Sequence, residues 1–324
     1  MSTEFADKSA EMFTALADGE TGAFRSLLRQ VFRLSPQVPL EERTALSNEI
    51  APLLSAEDGE LELVADLAVL AGALVEGGVP AGTAGVQVMR MLHSWAGSTD
   101  TVREPGGRHS VARRLGLAAK TMLTGADVRA AVRADKGMLI DLQVAAARLR
   151  RNVSEFQPVD GLLRMTAAVG ALVLDRRSGR GFRVAFDGVW SNYQLHTLLA
   201  DALIGDEGRG LDGERLCSDC VAVESGRRQP FSCGSGELSE VWSLGDYEGG
   251  PVFLDGTPAD TLMLDGERVI VLDAKESAGA SWRPGDHSYE LVRAELTVQA
   301  ELLPEETTSL WSRIALPAVA GDSA

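Results

Sequence analysis

Apolar positions in the first half of the chain recur at the period of a helix. Residues 3–16 have helical composition and end at Asp18-Gly19, after which Phe24, Leu27, Leu28 and Val31 keep the i, i+3, i+4, i+7 spacing of one buried face. Ser35-Pro36-Gln37-Val38-Pro39 closes that segment, because each proline disfavours helix in the residue before it. A third helix is expected over Leu40–Leu54, with Leu46, Ile50, Leu53 and Leu54 inward. Leu61–Val75 is apolar on more than one face, the pattern of a helix surrounded by others, and Gly77-Gly78 stops it. Pro80 suits the first turn of the next, which carries Val86, Met89, Leu92 and Trp95. Residues 97–110 read as a polar loop, and helical composition from Ser110 to Arg151 suggests two helices divided near Thr124-Gly125-Ala126-Asp127.

Beyond residue 170 the period falls to two. Ala171–Asp175 and Gly181–Phe186 are short apolar runs around Arg176-Arg177-Ser178-Gly179-Arg180, a predicted hairpin. Leu238–Tyr247 and Pro251–Leu254 read as strands, and Thr261–Leu264 and Glu267–Leu272 flank Asp265-Gly266, a strong signal for a tight hairpin. Val292, Ala294, Leu296, Val298, Ala300 and Leu302 alternate with polar residues, so one face of that strand is buried and the other wet. Pro304 starts a short helix presenting Leu310, Trp311 and Ile314. The expectation is an α+β protein: a helical domain over 1–155, as a bundle or stacked helix hairpins, a mainly antiparallel α+β domain over 156–316, and a flexible tail over 317–324.

The stretch from Phe182 to Cys233 gathers most of the polar chemistry. Ser191 and Gln194 have the spacing of a capping box, so a helix is expected from Asn192 to Ile204, with Gly205 free to end it. Leu195, Leu198, Leu199, Ala202 and Leu203 form its apolar stripe, Tyr193, Thr197 and Asp201 lie opposite, and His196 falls on the margin.

Charge narrows the partners. The formal net charge is −16, unevenly placed: residues 1–150 carry 19 acids and 16 bases, residues 151–324 carry 28 and 15. Such a field repels phosphate backbones and anionic lipid, so neither nucleic acid nor membrane is an expected partner. Between Arg103 and Arg150 the balance reverses, with ten bases against four acids, which reads as a helical face paired with carboxylates before it reads as an anion-binding surface. Acids at Glu4, Asp7 and Glu11 do not fit a secretory leader, and the most apolar run, Leu67–Val75, is too short to span a bilayer. With three cysteines, an odd count, a reducing cytoplasm is the expected compartment.

Candidate chemistry is sparse. Cys217 and Cys220 have the spacing with which two thiolates grip zinc, Cys233 follows, and His196 or His287 could complete a Cys3His site. A second complete cysteine pair is missing, so isolated thiols without a metal or other cofactor are expected. Residues 217–224 read as extended, which denies a redox dithiol the helix start it needs. His196 could act as a general base oriented by Asp187 or Asp201, or could simply pack its ring. No serine occupies a nucleophile elbow, and Gly106-Gly107 lacks the remainder of a phosphate loop.

The Gly181–Leu203 segment, with Val269–Leu272, resembles a group of actinobacterial proteins of no assigned function. The resemblance covers about half of the chain and implies a shared fold, bringing no site residue or activity with it. The functional expectation is therefore an accessory protein that binds a protein partner or small ligand through Trp190, Tyr193 and His196. The alternatives are an enzyme built on His196 and a zinc protein built on the cysteines.

Overall fold

The computed structural model describes residues 3–55, 61–97, 107–229, 237–275 and 279–317. The chain divides into two compact units, Met1–Thr166 and Ala167–Ala324.

The first unit is helical among the described residues: α1 (Thr3–Ala17), α2 (Thr21–Leu34), α3 (Leu40–Ile50), α4 (Leu61–Glu76), α5 (Gly82–Gly97), α6 (Gly107–Met122), α7 (Ala126–Ala134), α8 (Lys136–Leu149) and α9 (Phe156–Ala167). As its all-round apolarity implies, α4 packs against α2, α3, α5 and α6 and buries Val64, Leu67, Leu70 and Leu74. Leu46, Ile50 and Leu54 point inward, but Leu53 is exposed, because a 3-10 turn over Ala51–Leu54 changes the period after Ile50. The stretch expected to hold two helices holds three. Asp135 starts the extra one by accepting the Met138 N–H on Oδ1 at 3.0 Å, a cap inside a run of helical composition. The bases of this region serve the fold: Arg113 pairs with Glu155, Arg114 with Asp66 and Arg150 with Asp160, while the buried Arg129 donates to the carbonyls of Leu123 and Thr124 at the end of α6.

The second unit contains β1 (Gly170–Asp175), β2 (Gly181–Asp187), α10 (Asn192–Leu203), α11 (Ser218–Glu224), β3 (Leu238–Ser239), β4 (Trp242–Gly245), β5 (Met263–Leu264), β6 (Glu267–Ala274), β7 (Ser281–Trp282), β8 (Glu295–Glu301) and α12 (Pro304–Trp311). The main sheet has the order β4-β6-β1-β2-β8, with β5 added to β6, and β3 pairs β7 separately. Its pairings are antiparallel except for β1 with β6, which run parallel in the register Leu172↔Val269 to Asp175↔Leu272.

Strands β1 and β6 are covered on both faces, which is why they read as continuous apolar runs. Ala171, Val173, Ile270 and Leu272 face the core that holds α10, whereas Leu172, Leu174, Val269 and Val271 face the cluster completed by Leu310, Trp311 and Ile314. The Asp265-Gly266 hairpin forms as expected, with positive φ at both residues. Two strand expectations need correction. Leu238–Tyr247 is broken into β3 and β4, and Pro251–Leu254 forms only a bridge from Pro251 to Gly245, since carbonyls of this loop turn aside to serve α10. The late alternating strand is shorter than its pattern. Residues 292–294 leave the sheet, and the Ala294 N–H bonds instead to the Ser225 carbonyl behind α11.

Candidate functional site at the start of helix α10

Helix α10 begins as its capping residues dictate. Ser191 accepts the Gln194 N–H on Oγ at 3.3 Å, and Gln194 reaches back with Oε1 to the Trp190 N–H at 2.7 Å. The next unpaired donors are taken by a loop: the N–H groups of Asn192 and Tyr193 bond to the carbonyls of Gly256 and Leu254, each at 2.9 Å. Asn192 Nδ2 donates to the Phe253 carbonyl, and Ser191 Oγ to that of His287. Two loops are thereby pinned around one helix start.

Aromatic side chains line this junction. Tyr193 stacks on His287 with ring centroids 3.9 Å apart and an interplanar angle of 19°, and its other neighbour is Trp282 at 5.0 Å. Trp190 lies 4.7 Å from Tyr289. Trp190, Tyr193, His287 and Tyr289 are half-buried, while Phe253 beside them is 68% exposed. Trp311 takes no part; it sits on the opposite face of the sheet, under Arg176.

His196 corrects its predicted place on the helix margin, because it is completely buried. An apolar stripe marks one protected face of α10, but this helix is enclosed all round, and Asn192, Gln194 and Thr197 are buried with it. The His196 ring lies edge-on to Trp282 at 5.6 Å and near Trp242 at 6.0 Å. Its Nε2 accepts the N–H groups of Val241 and Trp242 at 3.0 and 3.3 Å, so the neutral ring carries its proton on Nδ1, which has no hydrogen-bond partner among the described residues. Burial holds its pKa at about 4, and the charge of Lys275 adds to the shift. Neither Asp187 nor Asp201 bonds to the ring; Asp201 faces Arg215 at 3.5 Å.

The cysteine stretch is helical, not extended. Val221 and Val223 suggest a strand, yet Cys220, Val221 and Glu224 are buried by the i, i+1, i+4 spacing of a helix face, and Cys217 stands at the N-cap. Cys220 packs with Leu238 and Trp282, and Cys217, Tyr193 and Leu254 close the cluster. Cys233 lies outside the described residues. Among those described, no three His, Cys, Asp or Glu residues are grouped to hold a metal ion.

Glu224 is the site residue that the pattern did not reveal. Its side chain is fully buried, Oε2 accepts the Gly285 N–H at 2.6 Å, and Oε1 has no hydrogen-bond partner among the described residues. Burial raises its pKa to about 7 against the pull of the Gly285 bond, and the charge of Asp286 raises it further. Gln194 Nε2 donates to the Glu224 carbonyl at 2.6 Å, locking α11 to α10. A helical reading of 217–224 would have found it, since Glu224 is one turn beyond Cys220 on the same face.

Comparison with known proteins gave no match: no protein-family model, no curated protein and no solved structure is similar to this chain.

Proposed function

We propose that this chain is an accessory binding protein rather than a catalyst, and that its C-terminal unit recognises an arginine- or lysine-bearing segment of a partner protein at the start of α10. The observation that carries the reading is the aromatic rim. Trp190 packs against Tyr289 with its ring tilted and Tyr193 stacks on His287, which presents half-buried rings next to the exposed Phe253. Rigid aromatic faces bind cations and apolar stems with little entropy to lose. The exposed carboxylates Asp255, Asp286 and Glu290 lie in the loops that carry these rings, against the exposed bases Arg283 and Arg293. That balance favours a cationic partner. A general base needs access to its substrate, whereas His196 is sealed and both its backbone bonds are structural.

The test is photo-crosslinking from position 253 in native cell extract, with mass spectrometry of the joined peptides. A partner peptide with clustered Arg or Lys is expected. It should disappear in W190A/Y193A and in F253D, each shown by its melting curve to be folded. Folded variants that capture the same peptide in the same yield would remove this surface from consideration.

A further inference from the structure

A second cavity is lined in part by Trp242, and charged side chains form much of its wall. Its volume is about 400 Å³, and it opens at the carboxyl ends of the parallel strands β1 and β6, between the turn after β1, the loop after α10 and the first residues of β4. Carboxyl ends of parallel strands are where α/β sheets place small ligands, since the chain must turn away there and leaves a crevice. Leu211, Val241 and Trp242 supply apolar wall, and Asp175, Arg177, Ser178, Asp212 and Lys275 the polar wall.

The charges are not equally engaged. Asp175 is spent within its own turn, its Oδ2 accepting both the N–H of Ser178 at 2.9 Å and that residue's hydroxyl. Arg177 and Asp212 face each other at 3.3 Å with both side chains largely exposed, an ion pair at the mouth. Lys275 is half-buried, donates from Nζ to the Glu240 carbonyl at 2.9 Å, and makes no ion pair with a described residue. The Glu240 carboxylate accepts the Ala280 N–H at 3.2 Å and stands beside Lys275 Nζ without pairing with it, so an incoming anion on Lys275 meets Glu240 as well as Asp212 as a competitor. Other arginines of this sheet are matched: Arg176 with Asp273, Arg180 with Glu301 and Arg183 with Glu267. Lys275 is also the one lysine after residue 136, in a unit with twice as many acids as bases. Asp212 and Gly213 line the same cavity, and their backbone N–H groups donate to no described residue.

We propose that this cavity binds a small organic oxyanion, carboxylate or phosphate, on Lys275, with Arg177 and the Asp212–Gly213 backbone as further donors and Leu211 and Val241 against its carbon body. Charge-assisted bonds in a partly enclosed site are the strong ones, and an acidic unit retains an anion only where such donors are concentrated. Asp212 acts as a competitor: it holds Arg177 at the mouth until an anion displaces it. This site is independent of the aromatic rim.

Isothermal titration of the full chain separates the sources, with inorganic phosphate, glycerol 3-phosphate and malonate as three arms. Saturable one-to-one binding in any arm is expected, and the arm that binds identifies phosphate or carboxylate as the recognised group. K275M should weaken it about tenfold or more, whereas D212N, by freeing Arg177, should tighten it. Should K275M fail to fold, R177Q, at an exposed position, carries the same test. The proposal is overturned if no arm saturates, if a folded K275M or R177Q binds as wild type does, or if D212N weakens binding as K275M does.

Discussion

Glu224 and His196 are both buried, and burial moves their pKa values in opposite directions because it penalises whichever form is charged. Glu224, raised from 4.5 to about 7, keeps a proton in the fold that the unfolded chain has released. Its contribution is fully present below pH 4.5 and is lost as the pH rises through 7, a change of about 3 kcal/mol at 1.4 kcal/mol per pH unit. His196, lowered from 6.5 to about 4, stays neutral in the fold while the unfolded chain takes up a proton. Its contribution is present above pH 6.5 and is lost as the pH falls through 4. The two slopes oppose one another between pH 4.5 and 6.5, where they largely cancel. E224Q removes one of them. Urea unfolding across pH 4 to 8 should then show the difference in stability between E224Q and wild type growing with pH from 4.5 to 7 and levelling above. A difference that is constant across this range would show that Glu224 is not buried as an acid.

At the scale of elements, two glycines with similar backbone angles separate strain from crowding. Gly179 and Gly188 have φ of +72° and +70°, left-handed values that an L side chain adopts only at a cost. A Cβ at Gly179 meets nothing within 4 Å, but one at Gly188 stands 2.1 Å from the Arg293 carbonyl oxygen, where the turn after β2 passes the segment that leads into β8. G179A should therefore cost about 1 kcal/mol, the conformational penalty alone. G188A should cost several times as much, because either the turn or residues 292–294 must shift. Denaturant unfolding of the pair measures this. Equal losses would mean that the segment before β8 yields freely, and that its departure from the sheet is not held by this contact.

Over the whole molecule the charge follows the division into units. Residues 1–166 carry a net charge of −3 and residues 167–324 a net charge of −13. Each unit has its own buried core: Leu67, Leu70, Val88 and Phe156 belong to the first, Val173, Phe182, Leu199 and Ile270 to the second. Separate cores predict separate folding. Residues 1–166 and 167–324, expressed apart, should each melt cooperatively, and the second should gain more stability from added salt because its self-repulsion is greater. A second fragment without a cooperative transition would place part of its stability in the first unit.

What the sequence determined by itself was whatever depends on near neighbours along the chain. The fourfold spacing of Phe24, Leu28 and their equivalents, the Ser191 cap, the Asp265-Gly266 turn and, over Glu295–Glu301, the late alternation each encode a local backbone state, and each is present in the fold. The extra helix α8 and its cap at Asp135 were equally local, but lay inside helical composition that masks a boundary. Tertiary structure decided the rest. Enclosure of α10 by the sheet, α11 and two tryptophans turned a marginal histidine into a sealed one, and made α11 helical despite its valines, since Cys220, Val221 and Glu224 gain burial only as a helix face. The parallel pairing of β1 with β6 joins residues about a hundred apart, and it alone brings Asp175 to the same edge as Lys275. Burial and long-range pairing depend on what the rest of the chain supplies, and no local pattern carries that information.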